Sequence, residues 1–435
     1  MKLICLGASQ EVGRSSFLIK GSNNILLDYG LKLEPKYTGV SKNKLIKNKK
    51  NTEEPLSFKD KLDAVILSHA HLDHSGDIPS LYKKQTPNLF LTEATYDLSR
   101  ILWLDTIKIA KYDRTPPLFT KDDIMQTQKS CFYLNLRETV EISENTNLTF
   151  YDAGHISGSV ISLIEMDGKK IMYTGDFRNA SSTLFNGYDS NVPEVDYLIM
   201  ESTYGLGNHK PREIIEKNII EEINKVIAKR GTVMLAAFAI ERTQELIGLL
   251  YKYKLKVPIY VDGMGVKVTK VFMEYPEYLK DPKLFKKAVN NVQLITNNKI
   301  RTKVIKDNKP KVIITTAGML EGGPIMQYIK YFAEDSNNAI IMSGYQVKDT
   351  NGYRLLHTGK LFIDGEVYTP NCKIKQFSLS AHPGKDELVE FVNLVNPKEV
   401  ICIHGDPDSI TSLTKTLNKE GYKTKAPKVG DVIEL

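Results

Sequence analysis

The sequence predicts an α/β protein with more than one domain. Residues 1–203 contain short β-branched runs in quick succession, which is typical of antiparallel strands. From residue 204 onward, strand and helix patterns alternate, which indicates a parallel or mixed sheet covered by helices. The total of 435 residues is enough for two or three domains of ordinary size.

Composition excludes several other classes of protein. Hydrophobic residues make up 41% and charged residues 26%, as in folded globular proteins, so disorder is excluded as the main state. The four cysteines form no CxxC pair, and we expect buried thiols in a reducing cytoplasm. No apolar run is long enough for a membrane helix, and Glu11 and Arg14 come too early for a signal peptide. The net charge of +7 permits a polyanionic partner without requiring one.

The first elements follow from short apolar runs separated by turn residues. Three runs predict antiparallel strands at 2–6, 15–19 and 24–28. The continuous apolar run 63–68 predicts a buried strand, and the apolar spacing in 95–111 predicts a helix. Three more strands are expected at 148–154, 160–166 and 169–176, with an Asp-Gly turn before the last. The lysine-rich segment 41–50 is interpreted as an exposed loop, which is either a solvated insertion or a contact for nucleic acid.

The later elements alternate between helix and strand. An amphipathic helix is predicted over 212–229, and 241–253 predicts another. Apolar runs predict strands at 232–238, 259–263, 292–296, 311–316 and 339–344. The last part continues the scheme with a helix near 386–394, a strand at 399–405, a helix at 409–420 and a short end strand.

The strongest chemical signal is a dense run of metal-binding side chains. His69, His71, Asp73 and His74 lie within six residues, directly after the strand predicted at 63–68. Imidazole and carboxylate are ligands of borderline divalent metals, above all zinc. A structural zinc site usually contains cysteine and closes at four ligands. The excess of ligands here therefore favours two metals with open positions.

Three more candidate ligands follow other predicted strands. Asp28, His155 and Asp176 each come at the end of an apolar run. An aspartate in such a place is usually a cap or turn residue. Together with the first cluster, however, the three form a repeated pattern, in which a strand is followed by a candidate ligand at one edge of a sheet.

This order of motifs resembles the metallo-β-lactamase superfamily. The resemblance implies a four-layer αββα sandwich with two zinc ions at one edge. The implied ligands of the first zinc are His69, His71 and His155. Asp73 and His74 would bind the second zinc, and Asp176 would bridge the two. Asp28 would orient the cluster rather than bind metal.

Three further motifs resemble the β-CASP group of that superfamily. They are Glu201 in MESTYG, His382 in SLSAHPG and His404 in VICIHGD. The resemblance implies an α/β β-CASP domain inserted into the metallo-β-lactamase domain. The expected boundaries are 1–203 for the first part of that domain, 204–360 for the insertion and 361–435 for its C-terminal part.

The residues of these motifs resemble those of the RNA-processing members of the group. Histidine at position 404 is typical of them, whereas DNA-processing members carry valine. SHAHLDHSG and SGYQ resemble the endonuclease subunit of the cleavage and polyadenylation specificity factor, in its short archaeal form without KH domains. Pro383 departs from the usual acidic or small polar residue after the histidine. The resemblance also implies mRNA 3′-end processing, other processing factors as partners, and a homodimer formed through the C-terminal part.

The implied activity is hydrolysis of single-stranded RNA by hydroxide activated between two zinc ions. His382 would protonate the leaving ribose oxygen, Glu201 would hold His382, and His404 would complete the second zinc site with Asp73. Products would carry 5′-phosphate and 3′-hydroxyl ends. We expect backbone groups of the glycine-rich segments to contact RNA phosphates, at Ser343, Gly344 and Gly322.

Several alternatives stay open at this point. The chain could be a non-catalytic scaffold subunit of an RNA-processing complex, although no expected ligand is missing. It could also cleave DNA, and the same site serves endonucleases and 5′→3′ exonucleases. His209 and His357 match no motif, and we expect both to be structural.

Overall fold

The computed structural model describes the backbone of residues 1–35, 37–41, 44–47 and 52–435, and the side chains of 1–35 and 52–435. Two seven-stranded sheets form the two inner layers of the first domain. In sheet order, the first sheet has the strands Cys131–Tyr133, Asn88–Leu91, Ala64–Ile66, Asn24–Leu27, Phe17–Lys20, Lys2–Cys5 and Val432–Glu434. The second sheet has Thr139–Ser143, Thr146–Asp152, Val160–Met166, Lys169–Tyr173, Tyr197–Glu201, Glu399–Ile403 and Thr424–Lys425.

The pairing confirms most of the predicted N-terminal strands. The first three strands of the chain pair antiparallel in consecutive order. Ala64–Ile66 then pairs parallel with Asn24–Leu27. In the second sheet, three consecutive strands form antiparallel pairs, and the last two are joined by the expected turn at Asp167 and Gly168, both with positive φ.

The two sheets pack face to face, and helices cover both outer faces. The core between them contains Phe17 and Ile66 from the first sheet with Phe150 and Ile199 from the second. The outer face of the first sheet packs against Trp103 of the helix Glu93–Asp113. The outer face of the second sheet packs against the helices Lys385–Val395 and Pro407–Lys419. This is the predicted four-layer αββα sandwich.

A third sheet forms a separate α/β unit. Its six strands are all parallel, as βαβ connections require. In sheet order they are Gln293–Ile295, Ile259–Asp262, Lys311–Thr315, Thr232–Ala236, Ala339–Met342 and Lys373–Gln376. Alternate residues of Thr232–Ala236 enter two different cores, one on each face. The sheet is therefore covered by helices on both faces, as expected for a parallel sheet.

The position of Lys373–Gln376 bears on the expected end of the insertion at residue 360. This strand pairs parallel with Ala339–Met342, so the third sheet continues beyond residue 360. The hairpin of Leu361–Ile363 and Glu366–Tyr368 also packs against the core of this unit. We therefore propose that the insertion runs from 204 to 376, and that the first domain resumes after it.

The helices follow the predicted order. Those before the insertion are Leu72–Ser75, Ile78–Leu81, Glu93–Asp113 and Lys121–Lys129. Those of the insertion are Arg212–Ala228, Arg242–Lys252, Gly265–Glu274, Pro282–Asn290, Asn298–Lys306, Pro324–Phe332 and Asn351–Thr358, with a 3₁₀ turn at Pro276–Tyr278. No helix of the described residues is long and apolar enough to cross a membrane.

An apolar interface joins the insertion to the sandwich. Leu98 and Phe185 of the sandwich lie in one buried cluster with Phe272 and Phe285 of the insertion. Two small hairpins lie outside the main sheets. One pairs Lys32–Leu33 with Thr52–Glu53, and the other pairs Tyr37–Ser41 with Lys44–Lys47.

The second hairpin corrects the expected loop at 41–50, because Lys44–Lys47 is a strand. The remaining residues of that segment, 42–43 and 48–50, lie outside the described residues.

Candidate metal centre

The ends of neighbouring strands bring the predicted ligands together at one edge of the sandwich. Asp28 and His404 each come directly after a strand and have φ angles of 54° and 47°. This left-handed conformation, which Asp and His adopt more readily than most residues, turns the chain at the sheet edge. Gly175, with φ of 51°, precedes Asp176 and lies so close to Ser68 that a Cβ would come within 2.6 Å of it. Only glycine fits there, which brings Asp176 beside the histidine run.

Three groups of candidate ligand atoms meet at this edge, and Asp176 belongs to all of them. The smallest is Asp176 with Glu201 and His382. Of the two larger groups, one contains His69, His71, His155 and Asp176, with all ligand atoms within 4.8 Å of one another. The other contains Asp73, His74, Asp176 and His404 within the same limit. These are the two sets that the sequence predicted. Their roles as metal ligands remain a prediction.

Hydrogen bonds orient three of the histidine rings. His74 Nδ1 donates to Asp28 Oδ2 at 2.6 Å, and His155 Nδ1 donates to the Ala381 carbonyl at 2.9 Å. His69 Nδ1 lies 3.0 Å from the hydroxyl of Ser68. In each neutral ring, the Nε2 lone pair then points into the centre, which is the arrangement a metal ligand requires.

The carboxylate of Asp176 lies opposite these nitrogens. Its Oδ2 is 3.5 Å from His69 Nε2 and 3.3 Å from His74 Nε2. His69 Nε2 is fully buried and has no hydrogen-bond partner among the described residues. An orphaned buried nitrogen is costly unless a ligand satisfies it. A divalent cation between the two groups would do so, so the residues present fit a metal.

Asp28 holds this arrangement without facing the centre. Its fully buried carboxylate accepts hydrogen bonds from the Ser68 amide and hydroxyl, both at 2.7 Å, and from the Tyr173 hydroxyl at 2.6 Å. Together with His74 this makes four donors on one carboxylate. Ser68 and Tyr173 had no distinguishing signal in the sequence beyond their place next to the motifs.

The electrostatics of the centre divide the histidines into two kinds. Burial lowers the pKa of His69 and His155 well below the usual value and that of His71 to about 4, so all three rings are neutral. Burial also opposes protonation of His74 and His404, but neighbouring carboxylates together outweigh it and raise the pKa of both. They are Asp176 and Asp28 for His74, and Asp176 and Asp73 for His404. The carboxylates thus require positive charge here, and a metal cation would supply it in place of the protons.

The two aspartates are held ionised. Burial would raise the pKa of the Asp176 carboxyl, but His404 and His74 outweigh it and hold the pKa well below its usual range. His404 Nε2 lies 3.3 Å from Asp73 Oδ2 and lowers the pKa of Asp73 against the same effect of burial. Both carboxylates are therefore available as anionic ligands.

Glu201 and His382 form a pair beside the metal centre. His382 Nδ1 lies 2.9 Å and 3.0 Å from the two carboxylate oxygens of Glu201, which is fully buried. The His382 side chain is 21% exposed, so it reaches the surface of the site. Burial opposes its protonation, but the Glu201 carboxylate outweighs this and raises the pKa of His382 to about 9. His382 can therefore carry a proton at neutral pH.

The segment that leads into the insertion also holds the loop of His382. His209 Nε2 lies 3.1 Å from the His382 carbonyl and donates to it, and the ring of Tyr204 packs edge-on against His209 at 4.3 Å. Asn208 bonds the amide and the carboxylate of Asp386, in the first turn of the helix Lys385–Val395 that follows this loop. His209 therefore contacts the site loop, a contact that its sequence position could not reveal. His357 is exposed, outside these groups, and stacks on Tyr353.

The structure corrects one expected phosphate contact. The amide and the hydroxyl of Ser343 both donate to the Ala236 carbonyl, at 3.2 Å and 2.9 Å, so neither donor points to a ligand. Gly344 packs against Phe238, whose ring would meet a Cβ at 2.9 Å. Gly322 borders open space, since a Cβ there would meet nothing within 4 Å. Phosphate contact at Gly344 and Gly322 remains a prediction.

The fold and these ligand groups define a metal-dependent hydrolase of the metallo-β-lactamase superfamily. Three domain families match the chain. A beta-lactamase superfamily domain matches 23–209, a Beta-Casp domain 243–355, and a Zn-dependent metallo-hydrolase RNA specificity domain 368–427. The chain belongs to the β-CASP family, in its CPSF-like ribonuclease branch.

Named relatives cover the whole chain. "Probable RNase MJ4" of Methanocaldococcus jannaschii is 35% identical over all of both chains. "RNase aCSPSF2" of Saccharolobus solfataricus is 31% identical over 99% of this chain and 84% of its own. "Transcription termination factor FttA" of Thermococcus kodakarensis is 32% identical over all of this chain and 71% of its own. A crystal structure of an Enterococcus faecalis protein shares the fold, with a TM-score of 0.61, 16% identity, and coverage of 100% and 99% of the two chains.

Proposed function

We propose that this protein is a two-zinc ribonuclease that hydrolyses RNA phosphodiester bonds in RNA processing. The observation that carries the proposal is the pair of ligand groups that share Asp176, with His382 and Glu201 beside them. A site with two cations and an adjacent proton donor suits hydrolysis of a phosphodiester, because it stabilises charge on both sides of the phosphorus. The names of the relatives, two of them RNases, support RNA as the substrate.

The protein would hold one zinc ion with His69, His71 and His155 and the second with Asp73, His74 and His404. Asp176 would contribute to both. When bound, the metal pair lowers the pKa of water and neutralises the phosphate charge. Asp28 would keep His74 in the tautomer that presents Nε2, through the 2.6 Å bond to its Nδ1.

His382 would supply the proton that the leaving ribose oxygen needs. Its Nδ1 is held by Glu201, so its Nε2 is the nitrogen left for substrate. The same carboxylate favours the protonated ring, which is the form that a general acid must have before the reaction. Glu201 itself accepts from the Phe177 amide at 3.1 Å, which fixes its carboxylate in place.

The test of this function compares RNA and DNA of the same sequence. The protein loaded with zinc is expected to contain two metal ions per chain and to cleave the RNA, leaving 5′-phosphate and 3′-hydroxyl ends. A chain that holds no zinc pair and cuts neither strand would instead be a scaffold subunit. Cleavage of DNA alone would contradict the assignment of RNA.

A second comparison establishes the mode of cleavage. Internally labelled RNA is prepared with a 5′-triphosphate, monophosphate or hydroxyl end. Mononucleotides released only from the monophosphate would establish the 5′→3′ exonuclease mode, and internal fragments from all three would establish the endonuclease mode. The homodimer and the association with other processing factors remain predictions, and sedimentation of the purified chain tests the first of them.

A further inference from the structure

The positive charge of the chain is concentrated in one part of the insertion. Residues 265–311 contain twelve lysines and arginines and four aspartates and glutamates, a net charge of +8. The whole chain has +7, so the remaining residues together contribute −1. The excess charge therefore belongs to a single region rather than to the protein as a whole.

Two helices of this region carry lysines at helical spacing. Lys283, Lys286 and Lys287 of the helix Pro282–Asn290 are separated by three and four residues, so they share one side of it. In the helix Asn298–Lys306, Lys299, Lys303 and Lys306 are separated by four and three residues, so they also share one side of their helix. All six are exposed. We refer to these six residues as the lysine face.

The two helices lie beside the edge of the third sheet. Gln293–Ile295, which connects them in the chain, is the edge strand. Ala288 of the first helix is buried in the core on one face of the sheet, and Val304 of the second is buried in the core on the other. The lysine face therefore extends around the sheet edge from one face to the other.

The charges of this surface are not neutralised within the protein. Over the described side chains, residues 1–35 and 52–435, none of the six lysines forms an ion pair with a carboxylate. Arg301, on the same helix as three of them, is instead occupied by Asp262 at 2.6 Å and 2.9 Å. Like charges at helical spacing repel each other, so the lysine face favours an anionic partner.

The surface suits a polyanion better than a membrane. Leu284, 37% exposed, is the large apolar side chain that 265–311 offers to solvent among the described residues. Membrane-surface helices need an apolar face of several large side chains. Exposed lysines with a single exposed large apolar neighbour match the phosphates of a single-stranded nucleic acid.

The lysine face is also connected to the metal-bearing domain. Phe285, on the first of the two helices, packs in the apolar interface with the sandwich. Lys280, just before that helix, donates to the Ser181 hydroxyl at 2.6 Å, five residues after the shared ligand Asp176. A strand bound along this surface would thus be held next to the domain that carries the metal centre.

We propose that the lysine face is a second RNA-binding surface, outside the metal centre, that holds the phosphates of long single-stranded substrates. This rests on the proposed ribonuclease function. It predicts that long RNA is bound more tightly than short RNA, and that the difference disappears at high salt, because counterion release drives such binding.

The test measures the affinity of the full chain for a fluorescein-labelled 30-nucleotide oligouridylate by anisotropy. The His382→Ala background keeps the RNA uncut, and a gel verifies that it is intact. Two triple variants remove one helix of the lysine face each, K283Q/K286Q/K287Q and K299Q/K303Q/K306Q. The control K217Q/K225Q/K229Q removes the same charge from exposed lysines on and next to the helix Arg212–Ala228 of the same insertion.

Each lysine-face triple is expected to raise the Kd at 100 mM salt about tenfold and to reduce the slope of log Kd against log salt by about 2, at roughly 0.7 per phosphate contact. The control is expected to change neither. Circular dichroism should show unchanged folding for all three, because every substituted lysine is exposed.

The proposal is overturned if both triples leave the Kd and the slope unchanged, or if the control changes them equally. It is also overturned if the triples abolish binding to phosphatidylserine vesicles while the affinity for RNA stays the same. In the background with His382 intact, the triples should raise KM for the 30-mer, and leave kcat and cleavage of a 5-mer unchanged. The affinity for RNA is measured without cleavage. Absence of nuclease activity would therefore contradict the proposed function, but the effect of the triple variants on RNA affinity could still be interpreted.

Discussion

Replacing Asp28 by asparagine should weaken metal binding, although the Asp28 side chain does not face the metal centre. Three of the four donors on this carboxylate, from His74, Ser68 and Tyr173, converge on Oδ2, and the Ser68 amide bonds Oδ1. An amide has one oxygen, so in either orientation its NH₂ group must face at least one of these donors. That conflict costs about 1–3 kcal/mol of folding free energy. The loss of the anion behind His74 should lower the zinc affinity by about 10- to 100-fold.

A matched control separates metal binding from general destabilisation. Asp262 is also a buried aspartate at a strand end, and it accepts from Arg301, from its neighbour Gly263 and from the Tyr328 hydroxyl at 2.7 Å. Asp262→Asn should destabilise the insertion to a similar degree, but leave the zinc affinity unchanged. Both variants are unfolded thermally and titrated with zinc against a chromogenic chelator. Equal zinc affinities in Asp28→Asn and Asp262→Asn would refute the role of Asp28.

Three further predictions concern groups around the site. Glu201→Gln should lower the pKa of His382 from about 9 and reduce kcat about 100-fold at constant zinc content, and an unchanged kcat would contradict the pairing. Burial raises the pKa of Asp77 to about 7, so its ionisation costs stability progressively between about pH 4 and pH 7. Asp77→Asn should therefore raise the free energy of unfolding at pH 8 by at most about 4 kcal/mol and leave it unchanged at pH 4, as urea titrations at both pH values can show. His209→Ala removes the 3.1 Å bond to the His382 carbonyl and should lower kcat more than it raises KM, whereas His209→Gln keeps a donor and should recover most of kcat.

The convergence of the candidate site residues was predictable because they follow apolar strands. Runs such as 63–68 identify a strand from composition alone, and the side chains that follow parallel strands of one sheet meet at one edge. His69 follows a strand of the first sheet, whereas His155 and Asp176 follow strands of the second, so the face-to-face packing of the two sheets is also needed to bring them together. The αββα layers and the parallel sheet of the insertion were confirmed as well.

The errors come from contacts that have no local signature. The strand Lys373–Gln376 is polar and mostly exposed, so its pairing with Ala339–Met342 beyond the expected boundary at 360 had no clear apolar signal in the sequence. The donors of Ser343 are taken by Ala236, which lies 107 residues away. The structural role expected for His209 is compatible with its hydrogen bond to the His382 carbonyl, but that partner is 173 residues distant, so the contact itself could not be predicted. Such pairings depend on tertiary packing, which a single sequence does not specify.

The most direct test of the central claim is cleavage of an internally labelled RNA by wild-type and His382→Ala proteins that carry the same amount of zinc. We expect the wild type to cleave, and the variant to be slower by about 100- to 10,000-fold, because general acid catalysis contributes that much. Cleavage by His382→Ala at the wild-type rate, with its zinc retained, would contradict the account.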